Sequence, residues 1–243
     1  MVDDRYSVQH GGGKPSNVEI AWADKTKIND QALGVENVQG ETKPFTAPQI
    51  TSLIGLIRSA RELYPSIALN HVIGHCDVFG GKFECPGPLF PWEDLEKAGA
   101  ALGPASFTDE AFELEWGGFF AGEDGKKRVL RLGDFDRANE DGSFSVLRKG
   151  KTVASGLSLG PVALLNECLH RIGYTPNRNG REVAEFERWK DKHIGTFGDG
   201  TRTALAFFWA HHFYRAKDVK PFWDPLDAKG ARRLLGCYRT LTG

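Results

Sequence analysis

The stretch IGHCDVFGGKFECPGPLFPW at residues 73–92 sets a histidine ten positions before a cysteine, and a Pro-Gly-Pro turn follows the cysteine at once. Imidazole and thiolate groups are ordinary zinc ligands. Proline restricts the backbone, so the turn can hold the thiolate of Cys85 in place. Two ligands do not complete a site, because a catalytic zinc takes three protein ligands and one open position. From residue types alone, His75 and Cys85 are either part of a zinc site or a pair without a metal.

The composition shows no charge bias and no membrane segment. Of 243 residues, 40% are hydrophobic and 26% are charged, with a net charge of -1. No basic field is available for nucleic acid, and no apolar run approaches the roughly 18 residues of a membrane span. The N-terminus lacks the basic and apolar regions of a secretory signal. As the sequence stands we expect a cytoplasmic protein, and a cell-envelope location would require a further N-terminal segment. Four cysteines do not make a disulfide framework in a chain of this length. The sequence makes no prediction of the oligomeric state.

Residues 1–102 have the pattern of an α/β domain. Thr46 and Gln49 fit a capping box, and Pro48 suits the first turn of a helix. Apolar residues then recur at helical spacing until Tyr64, which precedes a proline. The patterns predict a strand at 32–38, a helix at 46–64, a strand at 68–78 and a short helix at 91–100.

The rest of the chain changes character twice. Residues 103–158 are rich in Gly, Asp and Glu with short apolar pieces, which indicates either hairpins of short strands or an extended connector. Residues 159–243 have helical periodicity, with Pro161 at one helix start and Gly173 at its end. A small helical bundle is predicted, with helices at 161–172, at 181–194, after a Thr201 cap and at about 228–238.

The quoted stretch also resembles a known family. HVIGHCDVFGGKFECPGPLFPWEDLEKAG at residues 71–99 is similar to the C-terminal signature of the zinc N-acetylmuramoyl-L-alanine amidases. It is nearest to the anhydro-muropeptide and outer-membrane amidases, which carry G-H-x-D followed by D-P-G-P-L-F-P-W. HGGG at 10–13 resembles the H-A-G loop of the family, and INDQALGVENVQGE at 28–41 resembles its N-D-x-S-I-G-I-E-L-E-G strand. The resemblance covers about residues 8–100 and implies a mixed β-sheet flanked by helices, incomplete at its N-terminus.

The resemblance implies a site and an activity. His75 would be the second ligand of one Zn²⁺ and Cys85 the third, while Glu36 would orient or deprotonate the attacking water. Lys82 would stabilise the oxyanion, and His10 would lie in the substrate-binding loop. The implied reaction is hydrolysis of the amide between N-acetylmuramic acid and L-alanine in peptidoglycan or muropeptides.

Two departures from the family pattern leave alternatives open. The family carries its first zinc ligand, a histidine, several dozen residues before the H-A-G loop, and this sequence begins after that point. Either the sequence is part of a longer protein, or the domain has lost its metal, or His10 supplies the ligand. Lys82 stands three positions before Cys85, where close relatives have two, and Phe83 fills the expected position. The alternative function is therefore a metal-free amidase-fold protein that recognises cell-wall fragments or serves as a subunit of a larger assembly.

The C-terminal region resembles a three-helix peptidoglycan-binding module, with Phe186 at the aromatic position of its second-helix motif. The alternative is an unrelated small helical bundle. A module of this kind is separable, so removal of residues 159–243 is expected to weaken wall binding and to spare hydrolysis of soluble fragments. His211 and His212 point apart on a helix and are not expected to form a ligand pair. Core packing, with a sugar-stacking surface as the alternative, is predicted for the aromatic residues Trp189, Phe207, Phe208, Trp209, Phe213, Phe222 and Trp223.

Overall fold

The computed structural model describes eight parts of the chain: residues 19–20, 31–37, 43–78, 86–87, 89–122, 127–175, 195–212 and 225–243. Among the predicted features, His10, Lys82, Cys85, Phe186 and the helix at 181–194 lie outside these residues. In the described part of the chain, no helix combines the length and the apolar character needed to cross a bilayer.

The first long helix forms as its local sequence predicts. Helix α1 covers Ala47–Leu63. Its capping box is present, because the Thr46 amide donates to Gln49 Oε1 at 2.9 Å and satisfies one of the donors that a helix start leaves open. A short helix after the Pro-Gly-Pro turn, here α3, covers Trp92–Lys97. Both predictions are confirmed.

The two strands predicted in this region are wrong. Residues 32–37 have no regular structure, and the apolar side chains of Leu33 and Val35 are 51% and 46% exposed. Residues 68–78 form a 3-10 turn at Leu69–His71 and a one-turn helix α2 at His75–Val78. The physical reason in the second case is local. Side-chain bonds to nearby backbone amides compete with strand pairing, and the Asp77 carboxylate accepts from the Gly74 amide at 2.7 Å.

The strands of the described residues pair antiparallel. Helix α4 at Asp109–Glu115, which the sequence patterns did not predict, begins after a Thr108 cap. Strands β2 at Asp134–Ala138, β3 at Phe144–Arg148 and β4 at Lys151–Leu157 then form a sheet in the order β2-β3-β4, which confirms the predicted hairpins. A separate two-stranded ladder joins β1 at Glu19–Ile20 to β5 at Tyr174–Thr175, with Glu19 opposite Thr175.

Three helices complete the described fold. Helix α5 covers Pro161–Ile172 and ends at Gly173, whose φ of 129° lies in a region that favours glycine. Helix α6 covers Asp199–His212, and helix α7 covers Ala228–Thr242, longer than predicted. The predicted Thr201 cap is wrong, because α6 begins at Asp199 and Thr201 is buried with its hydroxyl donating to Asn166 Oδ1 at 2.7 Å.

Two hydrophobic clusters hold these elements together. The larger one draws on α4, the three-stranded sheet and all three C-terminal helices, and it contains the fully buried Phe208 and Leu234. The smaller one packs α1 against α3 through Leu53, Trp92 and Leu95. Phe207 and Phe208 are core residues, as predicted. The larger cluster shows that residues 103–158 and the C-terminal helices bury apolar surface together; the domain boundaries at 102 and 158 stay a prediction.

Candidate functional site

The structure describes two of the five predicted site residues. His75 is half-buried and is the first residue of α2. Glu36 is exposed in the irregular segment 32–37. Among the described residues, no group of three or more His, Cys, Asp or Glu side chains is arranged to hold a metal ion. A zinc site at His75 therefore depends on ligands from the remaining residues.

Helix α2 is fixed at its start by a reciprocal pair of bonds. The Gly74 amide donates to Asp77 Oδ2 at 2.7 Å, and the Asp77 amide donates to the Gly74 carbonyl at 3.0 Å. Gly74 occupies the N-cap position and Asp77 the third helical position, as in a capping box. His75 lies between them, so these bonds set the direction in which its backbone enters the helix. The bonds at Gly74 and Asp77 therefore fix the backbone of the residue that the resemblance predicts as a zinc ligand.

The Asp77 carboxylate is buried and bonded to two distant side chains. It is 1% exposed. The Tyr174 hydroxyl donates to Asp77 Oδ1 at 2.8 Å, and His211 Nδ1 lies 2.9 Å from Asp77 Oδ2. The Tyr174 hydroxyl and His211 Nδ1 are themselves 3.1 Å apart. Tyr174 begins β5 and His211 lies in the last turn of α6, so three separate parts of the chain meet at this carboxylate.

The electrostatics favour an ionised Asp77. Burial raises the pKa of its carboxyl group, but the charge and hydrogen bond of His211, the Gly74 amide and the Tyr174 hydroxyl together lower this pKa below its usual value. An ionised carboxylate only accepts hydrogen bonds. The Nδ1 atom of His211 therefore carries a proton where it faces Asp77.

An aromatic contact brings the segment after the Pro-Gly-Pro turn to the same place. The Trp92 ring lies over the His211 ring, with centroids 3.8 Å apart and planes inclined at 32°. Phe90 packs on Trp92 at 4.6 Å between centroids. We call Asp77, Tyr174, His211 and Trp92 the Asp77 cluster. All four side chains are less than 10% exposed and bond to or stack on one another, which suits the cluster to hold neighbouring elements in place.

Sequence reasoning did not predict this cluster. Asp77 matches the aspartate of the family motif G-H-x-D, but the resemblance implied no role for it. For His211 the sequence excluded only a ligand pair with His212, and its side chain is 4% exposed. No local pattern could have paired it with Asp77, because the two residues are 134 positions apart. The one available signal was the choice of an aspartate two positions after His75.

Comparison with known proteins bears on the first part of the chain. Residues 6–88 match the family model for N-acetylmuramoyl-L-alanine amidase. The chain is 36% identical over 69 residues to the 1,6-anhydro-N-acetylmuramyl-L-alanine amidase AmpD of Haemophilus influenzae, covering 28% of this chain and 38% of that protein. It is 33% identical over 93 residues to the N-acetylmuramoyl-L-alanine amidase AmiD of Escherichia coli, covering 35% of this chain and 33% of that protein.

A solved structure resembles the fold as a whole. It is a complex of AmiD from E. coli with the substrate anhydro-N-acetylmuramic acid-L-Ala-D-gamma-Glu-L-Lys, and it matches with a TM-score of 0.50 and 18% identity over 99% of this chain and 71% of that chain. This likeness supports the α/β fold class, which is confirmed. The sequence matches span about a third of each relative's own length, at 38% and 33%. The resemblance of the His75 stretch is therefore confirmed as a match to the family model for N-acetylmuramoyl-L-alanine amidase, which extends over residues 6–88.

Proposed function

We propose that this chain hydrolyses the amide bond between N-acetylmuramic acid and L-alanine in peptidoglycan or in soluble muropeptides. The observation that carries the proposal is the family match of residues 6–88, which includes Glu36, His75 and Cys85. Relatives over 30% identical in this region bear the names of enzymes with this activity. A solved relative binds a muropeptide with this bond, which supports peptidoglycan fragments as the ligand.

The proposed cofactor is one Zn²⁺ held by His75 and Cys85. The remaining protein ligand would come from His10 or from outside this sequence. Zinc supplies Lewis acidity at the scissile carbonyl and at the nucleophilic water. His75 suits this role because α2 is held at its start by the Gly74 and Asp77 bonds, and a ligand on a fixed turn keeps its direction when the metal binds.

The other proposed roles belong to side chains around the scissile bond. Glu36 takes a proton from the attacking water and delivers it to the leaving amine of L-alanine. Its exposed position leaves the carboxylate accessible to a substrate. Lys82 would donate to the oxyanion that forms on the carbonyl oxygen, and His10 would contact the substrate. Of these three side chains only Glu36 lies within the described residues, and the roles of Lys82 and His10 remain predictions.

The test is turnover of anhydro-N-acetylmuramyl-L-Ala-D-γ-Glu-L-Lys by the full chain, with the released tripeptide measured by mass spectrometry. The zinc-loaded chain is expected to release tripeptide. Glu36→Gln should keep its zinc and lower kcat about 10²- to 10⁴-fold, since general acid–base catalysis contributes about that much. Cys85→Ala should lose zinc, and Glu62→Gln, which removes an exposed carboxylate on α1, is the matched control with unchanged kcat.

Absence of tripeptide from a zinc-loaded wild-type chain would reject the amidase proposal. If that chain still sedimented with insoluble cell wall, a wall-binding protein without amidase activity would be the better description. Unchanged zinc content in Cys85→Ala would remove this residue from the ligand set while leaving the amidase activity to the turnover assay.

A further inference from the structure

We propose that Tyr174 and His211, from the C-terminal part of the chain, are positioning residues for the amidase domain. They hold the Asp77 carboxylate, and through it the helix α2 that begins with His75. The effect on structure can be tested without turnover, while its consequence for hydrolysis rests on the proposed function.

The first argument is the division of bonds at Asp77. One bond is local, to the Gly74 amide at 2.7 Å. The other two are distant, from the Tyr174 hydroxyl at 2.8 Å and with His211 Nδ1 at 2.9 Å. A buried carboxylate that loses its partners bears the cost of desolvation without compensation. Without Tyr174 and His211, Asp77 is therefore expected to turn towards solvent and to release the Gly74 amide.

The second argument is the length of α2. It has four residues, His75–Val78, and a single turn does not persist on its own because helix nucleation is unfavourable. The two bonds between Gly74 and Asp77 stabilise the start of α2. The direction of the His75 backbone therefore depends on whether the Asp77 carboxylate stays in the cluster.

The third argument is that a second segment reaches the same residue. Trp92 follows Cys85 by seven positions, and its ring lies on His211 with centroids 3.8 Å apart. The segments that follow the two proposed ligands are thus both linked to His211. The segment after His75 is linked through Asp77, and the segment after Cys85 through Trp92. A change at this single histidine is expected to loosen both.

Further contacts make the C-terminal part a support instead of a tethered module. The Asn70 side-chain amide donates to the Ile172 carbonyl at 3.1 Å. Arg233 on α7 forms two bonds to the Glu96 carboxylate on α3, at 2.6 and 2.8 Å. The β1–β5 ladder adds backbone pairing between the two parts of the chain. The Asp77 cluster therefore lies within an interface that is held at several points.

The experiment compares four variants of the full chain. Tyr174→Phe removes the hydroxyl and keeps the ring that packs edge-on against Phe208. His211→Leu removes the bond to Asp77, while His211→Asn keeps a nitrogen donor close to the position of Nδ1. Thr201→Val is the matched control, because it removes another buried hydrogen bond, to Asn166 at 2.7 Å, on the same helix α6.

The first readout is amide hydrogen exchange at residues 74–78 in the metal-free chain. Tyr174→Phe and His211→Leu are expected to raise exchange there about tenfold or more, the effect of losing one hydrogen bond to a charged group. His211→Asn should stay near the wild-type rate, and Thr201→Val should leave these amides unchanged. If Tyr174→Phe and His211→Leu accelerate exchange at 74–78 no more than Thr201→Val does, the positioning role is overturned.

The second readout is the Kd for Zn²⁺. Tyr174→Phe and His211→Leu should weaken zinc binding about 10- to 100-fold, as loss of partners behind a ligand usually does, and His211→Asn should restore most of it. Faster exchange with unchanged zinc affinity would contradict the proposal. A wild-type chain that binds no zinc would reject the proposed metal site instead, and the exchange rates alone would then decide whether Tyr174 and His211 hold α2.

Discussion

At the scale of single residues, position 77 requires a side chain that can accept hydrogen bonds from three donors. Its two oxygens face three donors: the Gly74 amide, the Tyr174 hydroxyl and the proton on His211 Nδ1. An asparagine has the same shape but offers one acceptor oxygen and one donor group. An amide nitrogen in place of Oδ2 would face the Gly74 amide and His211 Nδ1, and one in place of Oδ1 would require the Tyr174 hydroxyl to accept instead of donate. In both orientations the negative charge that the three donors share is lost.

We therefore expect Asp77→Asn to lower the free energy of unfolding by about 2 kcal/mol, the usual effect of losing a hydrogen bond to a buried charge. Urea denaturation of the full chain measures this. The control is Asp141→Asn, which changes an exposed turn residue that keeps an oxygen for the Ser143 amide, and which should unfold at the wild-type urea concentration. Equal midpoints for both variants would show that the Asp77 charge contributes nothing to stability.

The individual site residues differ in how far the sequence could predict them. The half-buried His75 on a capped turn is consistent with a ligand, and it was marked by a recognisable motif. Tyr174 and His211 carry no such mark, because their importance comes from a partner about 100 or more positions away. Glu36 is exposed in an irregular segment, and its role stays a prediction that only turnover can test.

At the scale of secondary-structure elements, a half-buried aspartate links the sheet to a helix. Asp136 on β2 accepts from the amides of Val162 and Ala163 at 3.2 and 2.8 Å, in the first turn of α5. Gly160 precedes that turn because a Cβ there would collide with the Asp136 carboxylate. The side chain thus supplies the helix start with acceptors that α5 does not have in its own sequence.

This carboxylate gives the fold a pH dependence of unusual sign. Burial raises the pKa of Asp136 to about 6, opposed by the two amides and assisted by the charge of Asp134. In the unfolded chain the pKa of an Asp carboxyl group is about 3.9. The folded state therefore binds the proton of Asp136 more tightly than the unfolded state does. Its contribution to stability is complete below about pH 4 and is lost as the pH rises to about 6, by up to about 3 kcal/mol.

Asp136→Asn should remove this dependence. The free energy of unfolding of the wild-type chain, measured relative to the variant, is expected to fall between pH 4 and pH 6.5. Asp227→Asn, which alters the side-chain cap of α7, leaves Asp136 in place and should follow the wild-type curve over this interval. A difference between wild type and Asp136→Asn that does not change with pH would show that the carboxylate is not a raised-pKa group.

The elements that the sequence predicted correctly are those with local causes. Helix α1 has its own capping box and α5 has proline and glycine at its two ends, so each carries its boundaries within about twenty residues. Residues 68–78 alternate like a strand, but no strand of the described residues pairs with them. There the Asp77 side chain competes for the backbone, and its position depends on residues that a local window does not contain.

At the scale of the whole molecule, the part of the chain up to residue 102 and the C-terminal helices share contacts that a tethered module would not have. Arg233 binds Glu96, Asn70 binds the end of α5, and β1 pairs with β5. The larger hydrophobic cluster also takes in the three-stranded sheet together with α5, α6 and α7. Sequence patterns predicted the order of these parts but not their mutual packing, which is a property of residues far apart in the chain.

These contacts favour a different outcome for truncation from the one expected of a separable module. A chain that ends at residue 158 lacks Tyr174, His211 and the buried helical residues Leu165, Phe208 and Leu234. We expect it to lose cooperative urea unfolding and, given the proposed function, to lose release of tripeptide from the soluble muropeptide as well as binding to wall. The full chain with Glu36→Gln provides the baseline for a folded protein with strongly reduced turnover. A truncated chain that kept the wild-type kcat would instead support the interpretation of residues 159–243 as a separable module.

The 134 positions between Asp77 and His211 also set the order of events when the chain is made. At about 5 to 20 residues per second, ribosomes need roughly 7 to 27 seconds to extend the nascent chain from one residue to the other. Until His211 has been made, the Asp77 carboxylate lacks one of its two distant partners, and Trp92 has no imidazole ring to cover. The N-terminal segment is therefore expected to remain accessible to chaperones and proteases until α6 emerges, so its folding is completed late in translation or after release.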